Sequence, residues 1–197
     1  MRVLIACEYS AIVRDAFIAK GHDAWSCDLL ETEGDPSKHI VGDALEVMYD
    51  EDGDGWDMMI AHPPCTFLAN SGVRWLVNKD KSFNIDRYRK MGDASFFFHQ
   101  LLHAPIRKIA IENPIQHKHC RLPKQDQVVQ PWMFGENESK AVCLWLNNLP
   151  KLVPEVTEKP DNLEQRVWRM PPGPDRQKER SRFFKGIARA MAEQWGE

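Results

Sequence analysis

The chain has 197 residues, of which 43% are hydrophobic and 28% charged, and a formal net charge of −3. Length and composition suit one soluble domain; no apolar run reaches a membrane span, and the N-terminus reads as a strand rather than a signal peptide. The slight acidity excludes binding nucleic acid by bulk charge while allowing a local basic face, and five scattered cysteines point to a reducing cytoplasm rather than a disulfide framework.

In chain order, Arg2-Val3-Leu4-Ile5-Ala6-Cys7 is predicted as a buried first strand. Ser10 is placed to cap the next segment, where Ile12, Val13, Ala16 and Phe17 fall at helical spacing until Gly21. Asp23 to Asp28 reads as a second strand, His39 to Val41 as a short third, and Trp56 to His62 as a fourth. Ile85 to His103 is predicted as a long amphipathic helix with Phe96, Phe97, Leu101 and Leu102 on or near its inner face. Lys108-Ile109-Ala110-Ile111 is the fifth strand. Continuously apolar strands alternating with helices predict an α/β fold with a doubly wound, mostly parallel sheet, covered on both faces. Residues 114–137 read as irregular loop, Lys140 to Leu146 as a further strand, and 150–180 as a proline-rich charged insert. Ser181 to Trp195 closes the chain as a helix, with Phe184, Ile187, Met191 and Trp195 at helical spacing. The whole chain reads as one domain without repeats, its one biased tract being the acidic turn Asp50–Asp54.

The segment Met58-Met59-Ile60-Ala61-His62-Pro63-Pro64-Cys65 is the most informative. Proline donates nothing to a sheet ladder, so the strand stops and Cys65 sits on a rigid loop at its carboxyl end. Open α/β sheets keep their ligands along that edge. The other loops predicted there carry Glu8 and Ser10 after the first strand, Asp28 after the second, Gly42-Asp43 after the third and Glu112-Asn113-Pro114 after the fifth. An acid ending the second strand suits ribose hydroxyls, and one after the third suits an adenine amino group. The first loop lacks G-x-G-x-x-G, which disfavours a dinucleotide and favours an adenosine ligand without phosphates. Glu8, Ser10, Asp28, Asp43 and Pro64 are the candidate cofactor contacts.

Cys65 and Glu112 pair a nucleophile with a proton-bearing carboxyl. Cytosine carbon 5 becomes nucleophilic when a thiol adds to carbon 6 and an acid bonds ring nitrogen 3. This ordered set resembles the S-adenosylmethionine-dependent DNA cytosine-C5 methyltransferases over roughly residues 1–148 and the last helix. Pro63-Pro64-Cys65 is similar to that family's Pro-Cys loop, Glu112-Asn113-Pro114 to its Glu-Asn-Val motif, and Gly42-Asp43-Ala44 to its adenine-contacting segment. The resemblance implies a Rossmann-like fold, Cys65 as nucleophile, Glu112 on nitrogen 3, and Asn113 supporting the Pro-Cys loop. It further implies Asp28 on ribose, Asp43 on adenine, and Lys140 standing in for the arginine that touches the base. Cys7-Glu8-Tyr9-Ser10-Ala11 departs from the family's Phe-x-Gly-x-Gly, Gly186 lacks its usual asparagine neighbour, and the roughly thirty residues of 150–180 replace a full target-recognition domain.

Other readings stay in view. His62-Pro63-Pro64-Cys65 also resembles the Asp/Asn-Pro-Pro-aromatic loop of adenine-N6 methyltransferases, but lacks both the acid or amide and the ring. His117-x-His119-Cys120 has no second ligand pair at conventional zinc spacing, and His99 and His103 lack the glutamate of H-E-x-x-H; no metal is expected. Basic runs at Arg107 to Lys124 and Arg176 to Arg189, with Trp132 and Trp168 nearby in sequence, are candidates for a nucleic-acid groove. The expected partner is DNA, as single strands or short duplex motifs, with help from a specificity protein. A transferase acting on free pyrimidine nucleotide and a non-catalytic binding module of the same fold are the alternatives.

Overall fold

The structure, a computed structural model, describes residues 1–49, 55–173 and 176–197. The acidic turn at 50–54 and the Trp168 side chain lie outside the described residues. Seven strands form one sheet: β1 (Arg2–Ala6), β2 (Asp23–Asp28), β3 (His39–Val41), β4 (Met58–Ala61), β5 (Lys108–Asn113), β6 (Gln127–Val129) and β7 (Val142–Asn147). Their order is β3-β2-β1-β4-β5-β7-β6. The first five strands pair in parallel, and β7 runs antiparallel to both β5 and β6. This is a doubly wound, mostly parallel α/β sheet of Rossmann-like build. The order reverses between β1 and β4, and a crevice opens at their carboxyl ends.

Side chains alternate between the two faces, as the pleat requires. Val3, Ile5, Met58, Ile60, Val142 and Leu144 pack on α1 (Ile12–Ala19) and α6 (Lys185–Trp195). Leu4, Ala6, Met59, Ala61, Ile109 and Ile111 face α2 (Ala44–Val47) and α3 (Ile85–Leu102). Because both faces are covered, β4 is apolar without interruption.

Several boundaries differ from the sequence expectation. Phe96 is 66% exposed, whereas Phe98 is fully buried beside Met91 and Leu101. In a run of three phenylalanines, a 100° step per residue puts neighbours on different faces, and packing on Trp145 at 4.9 Å selects Phe98. Burying that ring contributes about 1.5–3 kcal/mol. Residues 114–137 are not wholly irregular, since they contain β6, too short to show a period. Glu112 and Asn113 are the last two residues of β5, not loop, because β7 continues the ladder opposite them.

Ser10 does not cap α1. Its hydroxyl donates to the Glu8 carboxylate, which itself accepts from the Val13 and Arg14 amides at 2.8 and 3.2 Å. The residue at the cap position, Ala11, has a left-handed φ of 61°, so the chain makes a glycine-type turn without glycine. The closing helix begins at Lys185; Ser181 ends a separate helix, α5 (Arg176–Ser181), which follows the four-residue α4 (Arg166–Arg169).

Candidate active site

At the end of β4 the His62 amide still donates to the Ala6 carbonyl (2.9 Å), after which Pro63 and Pro64 end the pairing. The Cys65 carbonyl accepts from the Leu68 and Ala69 amides at 3.1 and 2.9 Å, curling the chain back on itself. Two side chains from elsewhere fix this turn. Asn113 Nδ2 donates to the Pro63 carbonyl across 2.8 Å, and the Arg87 guanidinium of α3 donates to the Thr66 carbonyl at 2.9 Å. Cys65 itself remains partly exposed, and Pro64 faces solvent.

Glu112 is buried one position beyond the Ile111–Ala61 pair. Its Oε2 lies 3.2 Å from His62 Nδ1. Burial raises its pKa, but the His62 hydrogen bond and the Lys140 and His62 charges outweigh that, so the carboxyl stays below its ordinary range. The Cys65 thiol moves the other way: burial and the Glu112 charge push it up, and Lys140 and Arg180 oppose them. A thiol so placed is largely protonated until something offsets the carboxylate. Lys140 Nζ sits 5.2 Å from the Phe184 ring centroid, which steadies its charge at the site.

The insert supplies the remaining wall. Ser139 N donates to the Glu164 carbonyl (2.9 Å) and Glu164 N to Asn137 (3.2 Å), laying 164–167 beside 137–140. The buried Glu138 carboxylate accepts the Arg166 and Val167 amides. Arg180 of α5 donates to the Val167 carbonyl at 3.0 Å. The result is a cavity of about 350 Å³ lined by Cys65, Ser139, Lys140, Gln165, Val167 and Arg180, among others. Cys65 and Lys140, chosen from sequence, therefore face one space. Gln165, Val167 and Arg180 were missed, since an aperiodic segment announces its docking only through the charge run containing Arg180.

A second cluster occupies the other half of the crevice. The Gly42 amide donates to the Asp28 carbonyl (3.0 Å), bringing the loops after β2 and β3 together. The charges of Asp28 and Asp43 both act on the Cys7 thiol, which is pushed well above its ordinary range, chiefly by burial. One oxygen of Asp28 accepts the Leu30 amide, and one of Asp43 caps α2 at Leu45. The second oxygen of each has no hydrogen-bond partner among the described residues. Leu29, Leu30 and Val41 stand exposed beside these acids, an apolar surface with polar ends. Glu8 behaves differently: its carboxylate is consumed by the first turn of α1, and Ser10 is bonded to it.

The basic runs divide: Arg180 lines the cavity, while other members lie away from it or are paired with acids. Arg107 and Lys108 stand at the amino end of β5, the far edge from Cys65, and six extended residues separate the ends by roughly 20 Å. Lys178 and Arg182 are paired to Glu33, and Arg189 to Glu155. Trp132 is buried in the core and unavailable for stacking on bases. His117 Nδ1 accepts the His119 amide, and Cys120 is buried against the Leu68 carbonyl.

No protein-family model matches the chain, and no curated protein matches it significantly. Among solved structures it is similar to a protein provisionally assigned as a DNA modification methyltransferase encoded within a prophage (E. coli), at 11% identity and a TM-score of 0.45. That match covers 74% of this chain and 46% of the other, so the chain spans about half the length of that neighbour. No helix among the described residues is long and apolar enough to cross a membrane.

Proposed function

We propose that the chain is a DNA methyltransferase acting on cytosine carbon 5 through a covalent bond from Cys65 to carbon 6. The supporting observation is the placement of a partly exposed thiol in a cavity with Lys140 and Arg180, beside a buried carboxyl at Glu112. A single base fits that volume, whereas a base within a duplex does not reach such a thiol unless extruded. In this reading Cys65 attacks, Glu112 bonds ring nitrogen 3, and Asn113 holds the turn that carries the nucleophile. Lys140 and Arg180 favour the thiolate and attract the sugar–phosphate backbone.

The free oxygens of Asp28 and Asp43, with Leu29, Leu30 and Val41, would hold the adenosine half of S-adenosylmethionine. Glu8 shapes that loop by capping α1, and the exposed Pro64 would border the cofactor from the turn that carries Cys65. When bound, this cofactor supplies an electrophilic methyl group on a sulfonium. The small insert reaches few base edges, and each good bidentate contact supplies about 1–3 kcal/mol of discrimination. A short or degenerate target follows, or a second protein that reads sequence.

Incubation with S-adenosylmethionine and cytosine-containing oligonucleotides, followed by mass spectrometry of the nucleosides, tests the reading. 5-Methylcytosine is expected from wild type and not from Cys65→Ser, because an alcohol is a much weaker nucleophile at neutral pH. A mechanism-trapping cytosine analogue should leave a denaturation-resistant adduct on Cys65, which a non-catalytic module cannot form. The two cations in a cavity of this size also suit a mononucleotide, so dCMP is compared with oligonucleotides. Near wild-type methylation by Cys65→Ser ends the assignment.

A further inference from the structure

His62 occupies an unusual position. It stands immediately after β4, directly before the two prolines, and its side chain is only 11% exposed. Nδ1 meets Glu112 Oε2 at 3.2 Å, and the ring packs against Phe183 with centroids 4.7 Å apart. Nε2 is buried with no partner among the described residues. Glu8, the buried acid after β1, also feels the His62 charge. A histidine between two buried carboxylates with one ring nitrogen unpaired is a costly way to fill space.

The chemistry of the proposed reaction explains the arrangement. Glu112 bonds ring nitrogen 3 productively only as the acid, yet its surroundings hold it as carboxylate. A proton must therefore reach it when the base arrives. Among the described residues, His62 is the one titratable side chain hydrogen-bonded to it. The remaining groups are Cys65 on the β4 loop, Lys140 ahead of β7, Cys143 on β7, Glu8 beyond His62, and Arg180 of α5 behind Cys65. Lys140 and Arg180 make no hydrogen bond to the carboxyl, and the two thiols are raised by its charge.

We propose that His62 is a positioning residue that hands its Nδ1 proton to Glu112 as Cys65 adds to the base, an inference that rests on the cytosine-C5 reading. The step balances. The Cys65 S–H bond breaks, its proton leaves to solvent, and the Sγ–C6 bond forms. The His62 imidazolium first protonates the Glu112 carboxylate; the displaced ring electrons then shift toward nitrogen 3, which takes that proton and leaves Glu112 as carboxylate and His62 neutral. Glu112 and His62 together thus lose one proton while the ring gains one.

The test compares wild type with His62→Gln, whose amide still donates to Glu112 but carries no titratable proton. Methyl transfer to a cytosine oligonucleotide is followed from about pH 6 to about pH 9, alongside the unfolding midpoint. In wild type, kcat should fall toward alkaline pH, where the proton to be relayed becomes scarcer. In His62→Gln, kcat should drop about 10²-fold and that limb should vanish, with KM and the unfolding midpoint little changed. Histidine 15N NMR reads the pair without turnover: at fixed pH, Glu112→Gln should move the His62 Nδ1 resonance, because the hydrogen-bonded carboxylate is gone. Retention of the alkaline limb and rate by His62→Gln, or an unmoved His62 Nδ1 resonance in Glu112→Gln, overturns the relay. Wild type making no 5-methylcytosine overturns the underlying reading, and the relay with it.

Discussion

Asn113 offers the sharpest test of how the thiol is held. Its amide donates to the Pro63 carbonyl across 2.8 Å in a fully buried setting, joining residues fifty positions apart. No other donor reaches that carbonyl among the described residues, and the neighbouring Pro64 has no N–H to offer. Removing the donor strands a buried acceptor, which costs about 1–3 kcal/mol. For a chain of this size that corresponds to a fall of about 2–12 °C in the unfolding midpoint. Asn113→Ala also leaves a small void, so Asn113→Asp serves as the volume-matched control. Aspartate sets an acceptor against the carbonyl and should cost at least as much as alanine. Urea unfolding of the three proteins gives the energies, and the alkylation rate of Cys65 in each folded protein reports whether the turn has loosened. A loss below about 0.5 kcal/mol in both variants, with wild-type alkylation, would refute the claim that this bond fixes the Pro-Pro-Cys turn.

Charges around Cys65 make a prediction of defined sign. The Glu112 carboxylate raises the thiol pKa and Lys140 lowers it, so at mildly alkaline pH iodoacetamide should modify Cys65 faster in Glu112→Gln and slower in Lys140→Met. Equal rates in all three proteins would remove the electrostatic coupling. At the other half of the crevice, Asp43→Asn keeps the cap on Leu45 but loses the charge. It should weaken binding of S-adenosylmethionine by about 1.5–3 kcal/mol in calorimetry without lowering the unfolding midpoint; undiminished binding would move the adenine elsewhere.

The sequence by itself determined where the sheet's parallel strands run and what stands at their ends. Uninterrupted apolar runs exist because both faces of a parallel sheet are covered, and that burial is local enough to read residue by residue. Two consecutive prolines cannot extend a ladder, so Cys65 had to follow a strand end. Asp28 and Gly42-Asp43 were placed by the same strand grammar.

Tertiary structure decided whatever depends on partners distant along the chain. Which of three consecutive phenylalanines turns inward was set by Trp145, and Glu112 became strand because β7 continues opposite it. Ser10 lost the cap of α1 to Glu8, whose side chain reaches two amides at once. The basic runs were divided because Arg107 and Lys108 stand at the amino end of β5, away from Cys65, and Lys178, Arg182 and Arg189 pair with Glu33 and Glu155, while Arg180 faces the cavity. The His62–Glu112 contact and the Arg180 wall of the cavity join residues far apart in sequence, through register between β4 and β5 and through docking of the insert on 137–140. Periodicity carries no trace of such pairings, because hydrogen bonds across a sheet are fixed by register and packing rather than by neighbours in the chain.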